Sequence, residues 1–481
     1  MSAIKVGDTP VTGIAYDSRR VTANCVYVGL PGAKTHGAKF ARDAKAAGAA
    51  VLLTDAEGAV LAADAGLPIV VDADPRVTMA GLAARLAGDP TADRPTFGVT
   101  GTSGKTTTCL MLDAALRGLG RHAGYVGTIG FTLDGQQLPL ERNTVTTPES
   151  VDLQAILAQM AGLGADTFVM EATSMGLAMH RVTGVHFDVV GFTNLGRDHL
   201  DFHGTVENYF EAKARLFEPG WAKTAVVNID DPAGRRLAAR IGAAGAPSLV
   251  TVGRDDDATI VIVDRTPQGR SQLVTYRAHG ESGQLNLDLP GAFNAANAML
   301  ALGMLDAAGW ATPDALAGLS HATAPGRMQR VELGPDAPQV FVDFGHTPEA
   351  TAAALEAAGH PVIAVLGAGG DRDPGKRELM GAAAARLSDI VIVTDDNYRN
   401  EDPALIRAAV CRGAKAAAGP GVQVIDVAGR PEAVRQAIAM ADSSWNVVVL
   451  GRGVETYQEV EGGRRIPMVD ADLVVSAWGG R

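Results

Sequence analysis

Apolar residues along this chain cluster in short unbroken runs more than in alternating ones. Cys25-Val-Tyr-Val-Gly-Leu30 and Ala50-Val-Leu-Leu-Thr54 lie either side of an Ala-rich amphipathic stretch from about Ala38 to Ala47. Runs this short, separated by helix-period segments, predict strands covered by helices, hence a small α/β unit. The stretch Ala87-Gly-Asp-Pro-Thr-Ala-Asp-Arg-Pro95 is turn-rich, carries two prolines and marks a boundary. Beyond it, Thr96-Phe-Gly-Val-Thr100 reads as a strand, Gly101 to Thr107 as a tight loop and Thr108 to Leu119 as a helix. Further strands are predicted at 167–170, 188–192 and 224–228, with helical segments between them, as in a mainly parallel sheet.

The alternation restarts near Pro325, with strand-like runs at 340–343, 362–366, 390–393, 422–425 and 447–450. Polar loops follow four of them: Phe344-Gly-His-Thr347, Gly367-Ala-Gly-Gly-Asp-Arg-Asp373, Asp395-Asp-Asn-Tyr-Arg399 and Gly451-Arg-Gly-Val-Glu455. In an open parallel sheet ligands gather at the carboxyl ends of the strands, so these loops are expected to share one rim.

Composition narrows the class. The chain has 481 residues, 47% hydrophobic and 20% charged, which suits a soluble protein of several domains rather than a disordered one. Its net charge of -12 argues against nucleic acid as a partner, because that binding rests on neutralising phosphates with cations. Cys25, Cys109 and Cys411 are too few and too scattered for a disulfide framework. No export signal or membrane-spanning run is evident, so the expected setting is the cytoplasm, without a membrane partner.

The loop after residue 100 carries the strongest chemical signal. Gly101 and Gly104 allow a tight turn with inward-facing N–H groups, and the helix that follows adds its positive dipole end. In that arrangement Lys105 reaches the terminal phosphates of a nucleotide and the Thr106 hydroxyl reaches its Mg²⁺. The strict phosphate-loop pattern needs glycine at 99, where this chain has Val99. A glycine loop alone does not separate kinase, GTPase, motor and ligase, but the Asn-Lys-x-Asp element that reads guanine is absent.

Thr100-Gly-Thr-Ser-Gly-Lys-Thr-Thr107 resembles the variant phosphate loop of the Mur ligases. Other segments resemble the same family in the same order: Glu171-Ala-Thr-Ser174, Thr193-Asn-Leu-Gly-Arg-Asp-His199, Leu200-Asp-Phe-His-Gly204, the lysine of Glu211-Ala-Lys213, Gly291-Ala-Phe-Asn-Ala-Ala-Asn297, Gly326-Arg-Met328, Asp343-Phe-Gly-His-Thr-Pro348 and Gly369-Gly-Asp-Arg-Asp373. The implied fold is α/β in three domains: a small N-terminal α/β domain holding the UDP-muramyl substrate (1–92), a central P-loop domain with a mainly parallel sheet holding ATP (93–324), and a C-terminal Rossmann-like domain holding an amino acid (325–481). The implied activity is ATP-dependent amide formation in peptidoglycan synthesis, by which a diamino acid is joined to UDP-N-acetylmuramoyl-L-alanyl-D-glutamate through an acyl phosphate. The implied partners are small molecules only, and a monomer is expected.

The resemblance also implies residue roles. Lys105, Glu171, His199 and Lys213 are the catalytic set. Gly101, Thr102, Ser103, Gly104, Lys105, Thr106 and Thr107, with Asn294, Arg327 and Asp343, would hold ATP. Thr106, Glu171, His199 and a carbamylated Lys213 would ligate Mg²⁺. Ser18 in Asp17-Ser-Arg19, with Thr146, Thr147, Thr173 and Arg181, would contact the UDP-muramyl dipeptide. Arg372, Asp396, Asn397, Arg399, Gly451 and Glu455 would hold the incoming amino acid. From residue type alone, Glu171 reads as an N-terminal-turn carboxylate and Lys213 as a solvated surface lysine, and only the spacing shared with the family reverses that.

Some positions depart from the family. Asp396-Asn-Tyr-Arg399 has Tyr398 where the diaminopimelate-type motif has proline, which frees a torsion that proline would fix. Arg452 and Val454 stand where lysine and histidine are usual, Thr173 and Met175 where serine and histidine are, and Met179 where glutamine is common. On these grounds meso-diaminopimelate, L-lysine and L-ornithine all stay open as the added residue. A folylpolyglutamate synthetase-like amide ligase and a non-catalytic nucleotide-binding regulator are the other readings.

Overall fold

The computed structural model describes residues 4–32, 34–140, 146–268 and 271–480. By contacts the chain falls into two compact units: one of residues 1–100, 120–190 and 212–223, the other of 101–119, 191–211 and 224–481.

In the first unit, strands Gly13–Ala15, Cys25–Gly29, Val51–Thr54 and Ile69–Val71 lie side by side and parallel in that order. Their side chains alternate between two buried clusters, Cys25, Tyr27 and Leu52 on one face, Val26, Val28, Val51 and Leu53 on the other. That is why the runs read as continuously apolar: a sheet covered on both faces has no polar side. The predicted helix 38–47 forms as a short 3₁₀ turn, Gly37–Phe40, leading into Ala41–Ala46. The same unit carries strands Gln136–Gln137, Gly130–Leu133, Ala123–Gly127, Thr167–Glu171 and Thr96–Thr100 in that spatial order. The last three are parallel, but Ala123–Gly127, Gly130–Leu133 and Gln136–Gln137 form an antiparallel meander.

In the second unit, strands Ser248–Gly253 and Ile260–Gln268 are parallel, whereas Ile260–Gln268, Ser271–Ala278 and Glu281–Leu287 form an antiparallel meander. The central region is therefore mixed, its parallel strands giving way to an antiparallel meander in each unit, and the reversals have a local cause. Asp134-Gly135 and His279-Gly280 both adopt positive φ, the two-residue turn that reverses a twisted strand pair. The helix expected from Thr108 begins at Lys105 and runs to Gly118, because Gly104 at φ 88° ends the loop three residues earlier. Its residues Thr106 to Asp113 are all buried, with helices Ala292–Ala307 and Pro313–Ser320 packed on it.

The C-terminal sheet has the spatial order Gln329–Val331, Gln339–Asp343, Asn446–Leu450, Val362–Leu366, Ile390–Val393 and Gln423–Asp426. All but the first, antiparallel edge strand are parallel. Phe341, Val362, Ala364, Leu366, Val448 and Leu450 fill one face, Val340, Val342, Ile363, Val365, Val447 and Val449 the other. The chain leaves Gln339–Asp343, builds outward through three strands and returns to insert Asn446–Leu450 beside its start. The polar loops after the strands thereby meet at the point where the winding reverses.

Beneath that rim lies an ionic cluster. Asp470 receives Nε and Nη2 of Arg430 at 2.7 Å each, Arg430 Nη2 also donates to the Leu450 carbonyl at 2.8 Å, and Arg452 Nε stands 3.6 Å from Asp470. All three side chains are fully buried. Two guanidinium groups out of water are tolerable only with such an anion. Asp470→Asn is therefore expected to lower unfolding free energy by roughly 3–5 kcal/mol in urea titration, the scale of breaking one partner from a buried pair; an unchanged midpoint would contradict the cluster's role.

Candidate functional site

The phosphate loop keeps its shape through contacts that leave no room for a side chain. Gly101 has φ 149°, and a Cβ there would stand 1.8 Å from Thr193 Oγ1; at Gly104 a Cβ would stand 2.4 Å from Asn297 Oδ1. Asn194 brackets the turn: its carbonyl accepts from Thr102 N–H at 2.9 Å and its Oδ1 from Ser103 N–H at 3.0 Å. Thr193 Oγ1 donates to the Ser103 carbonyl at 2.6 Å, and Gly196 N–H donates to Thr102 Oγ1 at 2.8 Å. Lys105 folds back over the loop, its Nζ donating to the carbonyls of Gly101 and Thr102 at 2.9 Å each. Thr106 and Thr107 are buried in the first helical turn, and Thr106 Oγ1 accepts from Arg327 Nη2 at 3.2 Å.

Arg327 lies over the Phe344 ring, 4.5 Å from its centroid, so the loop after Gln339–Asp343 sets its direction. Asp343 is buried and braces the turn below: Oδ2 accepts from Met328 N–H at 2.7 Å, Oδ1 from Gly345 N–H at 2.6 Å. Burial pushes its carboxyl above the usual range, against the pull of Arg327 and these two amides. Asn294 is buried and donates to the Pro290 carbonyl at 2.7 Å, while its Oδ1 accepts from Asn297 at 3.5 Å. His199 takes a left-handed φ of 53° at the start of Leu200–His203. Its Nε2 is 3.5 Å from Asp198, which also faces His346 Nε2 at 3.3 Å and Lys376 Nζ at 3.7 Å. Burial pushes Asp198 up, but His346, His199 and Lys376 outweigh it and hold the carboxyl well below the usual range.

In the first unit, Glu171 ends strand Thr167–Glu171 in register with Val99. It is 1% exposed, with Oε1 accepting from Tyr125 OH at 2.6 Å and Thr128 N–H at 2.8 Å, and Oε2 from Thr128 Oγ1 at 3.0 Å. A helix-start carboxylate it is not. The predicted substrate threonines gather beside it: Thr147 Oγ1 donates to the Glu171 carbonyl at 2.8 Å and lies 3.0 Å from Thr173 Oγ1, and Thr146 Oγ1 is 3.2 Å from Thr128 Oγ1. Arg181 is fastened to Glu149 at 3.0 Å and to the Thr147 carbonyl at 3.2 Å. Ser18 opens the 3₁₀ turn Ser18–Arg20; Tyr16 just before the turn and Arg20 at its end both grip Asp152, at 2.6 and 2.7 Å. Lys213, at 1% exposure, is no surface lysine.

On the C-terminal rim, Asn397 Nδ2 donates to Glu455 Oε2 at 2.7 Å, and Asn397 Oδ1 accepts from Arg452 Nη1 at 3.2 Å. A Cβ on Gly451 would stand 2.5 Å from Asp396 Oδ2, and one on Gly369 would meet Arg399, Arg372 and Asn397 together. All six predicted amino-acid contacts thus converge, Arg372 being the exposed one. Burial, then Asp396, raises the Glu455 carboxyl above its usual range, against the opposing pull of Asn397 and Arg452. Sequence reasoning passed over Asn194, Asn297, Asp198 and Glu459; the first three lie inside the quoted motif segments, but Glu459 belongs to an edge strand that no motif marks.

Residues 10–86 match the model described as Mur ligase family, catalytic domain, 99–305 the Mur ligase middle domain, and 326–453 the Mur ligase, glutamate ligase domain. A Corynebacterium glutamicum protein named UDP-N-acetylmuramoyl-L-alanyl-D-glutamate--2,6-diaminopimelate ligase is 40% identical over 470 residues, 95% of this chain and 90% of that one. A solved structure bearing the same enzyme name aligns with TM-score 0.68 and 31% identity, over 98% of this chain and 95% of that one. Mycobacterium tuberculosis folylpolyglutamate synthase complexed with ADP aligns with TM-score 0.64 over 79% of this chain and 92% of its own, at 22% identity, a likeness of fold alone.

Gly101→Ala is expected to weaken nucleoside triphosphate binding about tenfold or more, since both its φ and its contact with Thr193 forbid a Cβ without reshaping the loop. Titration calorimetry reads this directly, and wild-type affinity would mean the loop does not hold phosphate.

Proposed function

This chain belongs to the Mur ligase family of ATP-dependent ligases, and on that premise we propose that it joins 2,6-diaminopimelate to UDP-N-acetylmuramoyl-L-alanyl-D-glutamate by way of an acyl phosphate. The observation that carries the choice of amino acid is the C-terminal rim. There a guanidinium, Arg399, and a carboxylate, Glu455, stand on either side of Asn397, the charges that a diamino acid with a second carboxylate calls for. The name of the similar Corynebacterium glutamicum enzyme supports that choice over L-lysine and L-ornithine. The reading divides the chain at 92/93 and 324/325, with UDP-muramyl dipeptide, ATP and amino acid held in that order.

Forming an amide from a carboxylate is uphill in water, so the acid has to be activated. The γ-carboxylate of the D-glutamyl residue attacks the γ-phosphoryl group of ATP and ADP leaves. The amine of the diamino acid then adds to the acyl carbon, and the tetrahedral adduct collapses with loss of phosphate and a proton. Charge neutralisation and alignment are what the protein supplies. Lys105, whose Nζ donates to the Gly101 and Thr102 carbonyls, exchanges them for β- and γ-phosphate oxygens, and Arg327 neutralises charge on the transferring group. Thr102, Ser103, Thr107, Asn294 and Asp343 shape this pocket. Thr146, Thr147, Thr173, Arg181 and Ser18 hold the acceptor, and Arg372, Asp396 and Gly451 line the amino-acid site.

Mg²⁺ favours hard oxygen ligands, and the Thr106 hydroxyl and the Glu171 carboxylate are of that kind. Glu171 accepts three protein hydrogen bonds, two on Oε1 and one on Oε2, and Oε2 keeps a spare lone pair because a carboxylate offers about four acceptor sites. By donor type, Thr106 and His199 in one unit, and Glu171 and a carbamylated Lys213 in the other, are the residues we assign to the ion, which would screen the phosphate charge.

Lys105→Ala and Arg327→Ala are each expected to cut ADP production with UDP-muramyl dipeptide and diaminopimelate by about 10²-fold or more, the usual loss on deleting one charge-stabilising donor; near-normal turnover in either would contradict the assignment. Product mass across a panel of diaminopimelate, L-lysine and L-ornithine tests the substrate, and failure of all three removes the reading.

A pH effect also follows. Because the Glu455 carboxyl lies above its ordinary 4.5, it loses its charge at a higher pH than a solvated glutamate as acid is added. The KM for the diamino acid should therefore rise as pH falls through that region, and Glu455→Gln should flatten the profile. A wild-type profile already flat there would count against Glu455 as the ammonium partner.

A further inference from the structure

The turn that carries Arg399 is fastened more tightly than its place at the surface requires. Glu401 N–H donates to the Tyr398 carbonyl at 3.0 Å, closing a tight turn in which Arg399 takes φ 51°. This left-handed conformation is unfavourable for a residue with a side chain, and when such strain persists the surroundings impose it. The turn presses on glycine backbone: a Cβ on Gly370 would stand 2.0 Å from the Tyr398 carbonyl oxygen.

One residue of the neighbouring strand Tyr457–Val460 holds this turn at three points. Glu459 N–H donates to Asn397 Oδ1 at 2.7 Å, its carbonyl accepts from Arg399 N–H at 3.2 Å, and its carboxylate accepts from Arg399 Nε at 2.9 Å. On the opposite side of the guanidinium, Nη1 donates to the Gly370 carbonyl at 2.8 Å. The fork is thus gripped through Nε and Nη1, and no hydrogen bond from Nη2 is seen among the described residues. Asn397 carries the link onward to Glu455 and to buried Arg452.

We infer that Glu459 is a positioning residue that aims Arg399 at the second carboxylate of the diamino acid, and so helps decide which diamino acid is accepted; this rests on the function proposed above. A half-exposed ion pair adds little to stability. What Glu459 supplies is order: it selects one arrangement of a long, many-rotamer side chain before substrate arrives, so the substrate does not lose that affinity. It also restores rigidity to a turn in which Tyr398 leaves the backbone torsion free.

The test is steady-state kinetics of the full chain with diaminopimelate and with L-lysine, the latter both as substrate and as competitor, for wild type, Glu459→Gln and Glu459→Ala. Glu459→Ala is expected to raise the KM for diaminopimelate about tenfold with kcat within about twofold, while L-lysine, which has no second carboxylate, binds as before. Glu459→Gln, whose amide oxygen still accepts from Nε, falls between; it carries the test alone if thermal melting shows the alanine variant misfolded. An equal loss for both amino acids would reduce Glu459 to a fastener of the edge strand, and a lowered diaminopimelate KM in Glu459→Gln would make it a competing anion; either overturns the proposal. Wild-type protein that couples no diamino acid sinks the function reading itself, whereas wild-type coupling with unchanged KM in both variants sinks only this inference.

Discussion

An ionised carboxylate taken out of water costs on the order of several kcal/mol unless its oxygens are fully engaged, and each candidate site region of this protein is organised round such a group. Glu171 is engaged by Tyr125 and Thr128, Asp343 by two backbone amides, Asp198 by His346 with His199 and Lys376 alongside, and Asp470 by Arg430. These acids are costly only where they are left incomplete. Completing them fixes the loops that supply the donors, so residues far apart in sequence are brought to defined places by the need to satisfy a few anions.

Parallel sheet topology then decides which loops meet. In the C-terminal sheet, strand Asn446–Leu450 is inserted between Gln339–Asp343 and Val362–Leu366, which sets Gly451 next to Asp396 and Glu455 next to Asn397. The buried Arg430–Asp470–Arg452 group lies directly under this junction and ties to the Leu450 carbonyl and to Asn397. A departure such as Arg452 is therefore not idle surface variation. It joins the ionic floor beneath the C-terminal rim to Asn397 and Glu455.

Much of this was readable from residues alone. The strands 25–29, 96–100, 362–366, 390–393 and 446–450 announce themselves as largely apolar runs, because strands covered on both faces have no solvent side that would call for alternating polar residues. The two antiparallel meanders were less legible: the second mixes polar and apolar residues along half-exposed strands, and for the first Asp134-Gly135 was the available signal. Among candidate site residues, Lys105, Glu171 and Asn397 were named through motifs. Glu459 was not, because its part depends on an edge strand lying beside a turn about 60 positions earlier in the chain.

Local chemistry therefore specified the order of elements, the glycine loop and the set of charged residues able to serve a nucleotide and an amino acid, since each of these rests on a few neighbouring side chains and torsions. Only the tertiary structure decided that Lys213 is enclosed, that Glu171 is held by Tyr125 and Thr128, and that Arg399 is already gripped by Glu459. Those outcomes depend on which strands become neighbours and on how each buried charge is satisfied, and a linear pattern of residue types does not carry that information.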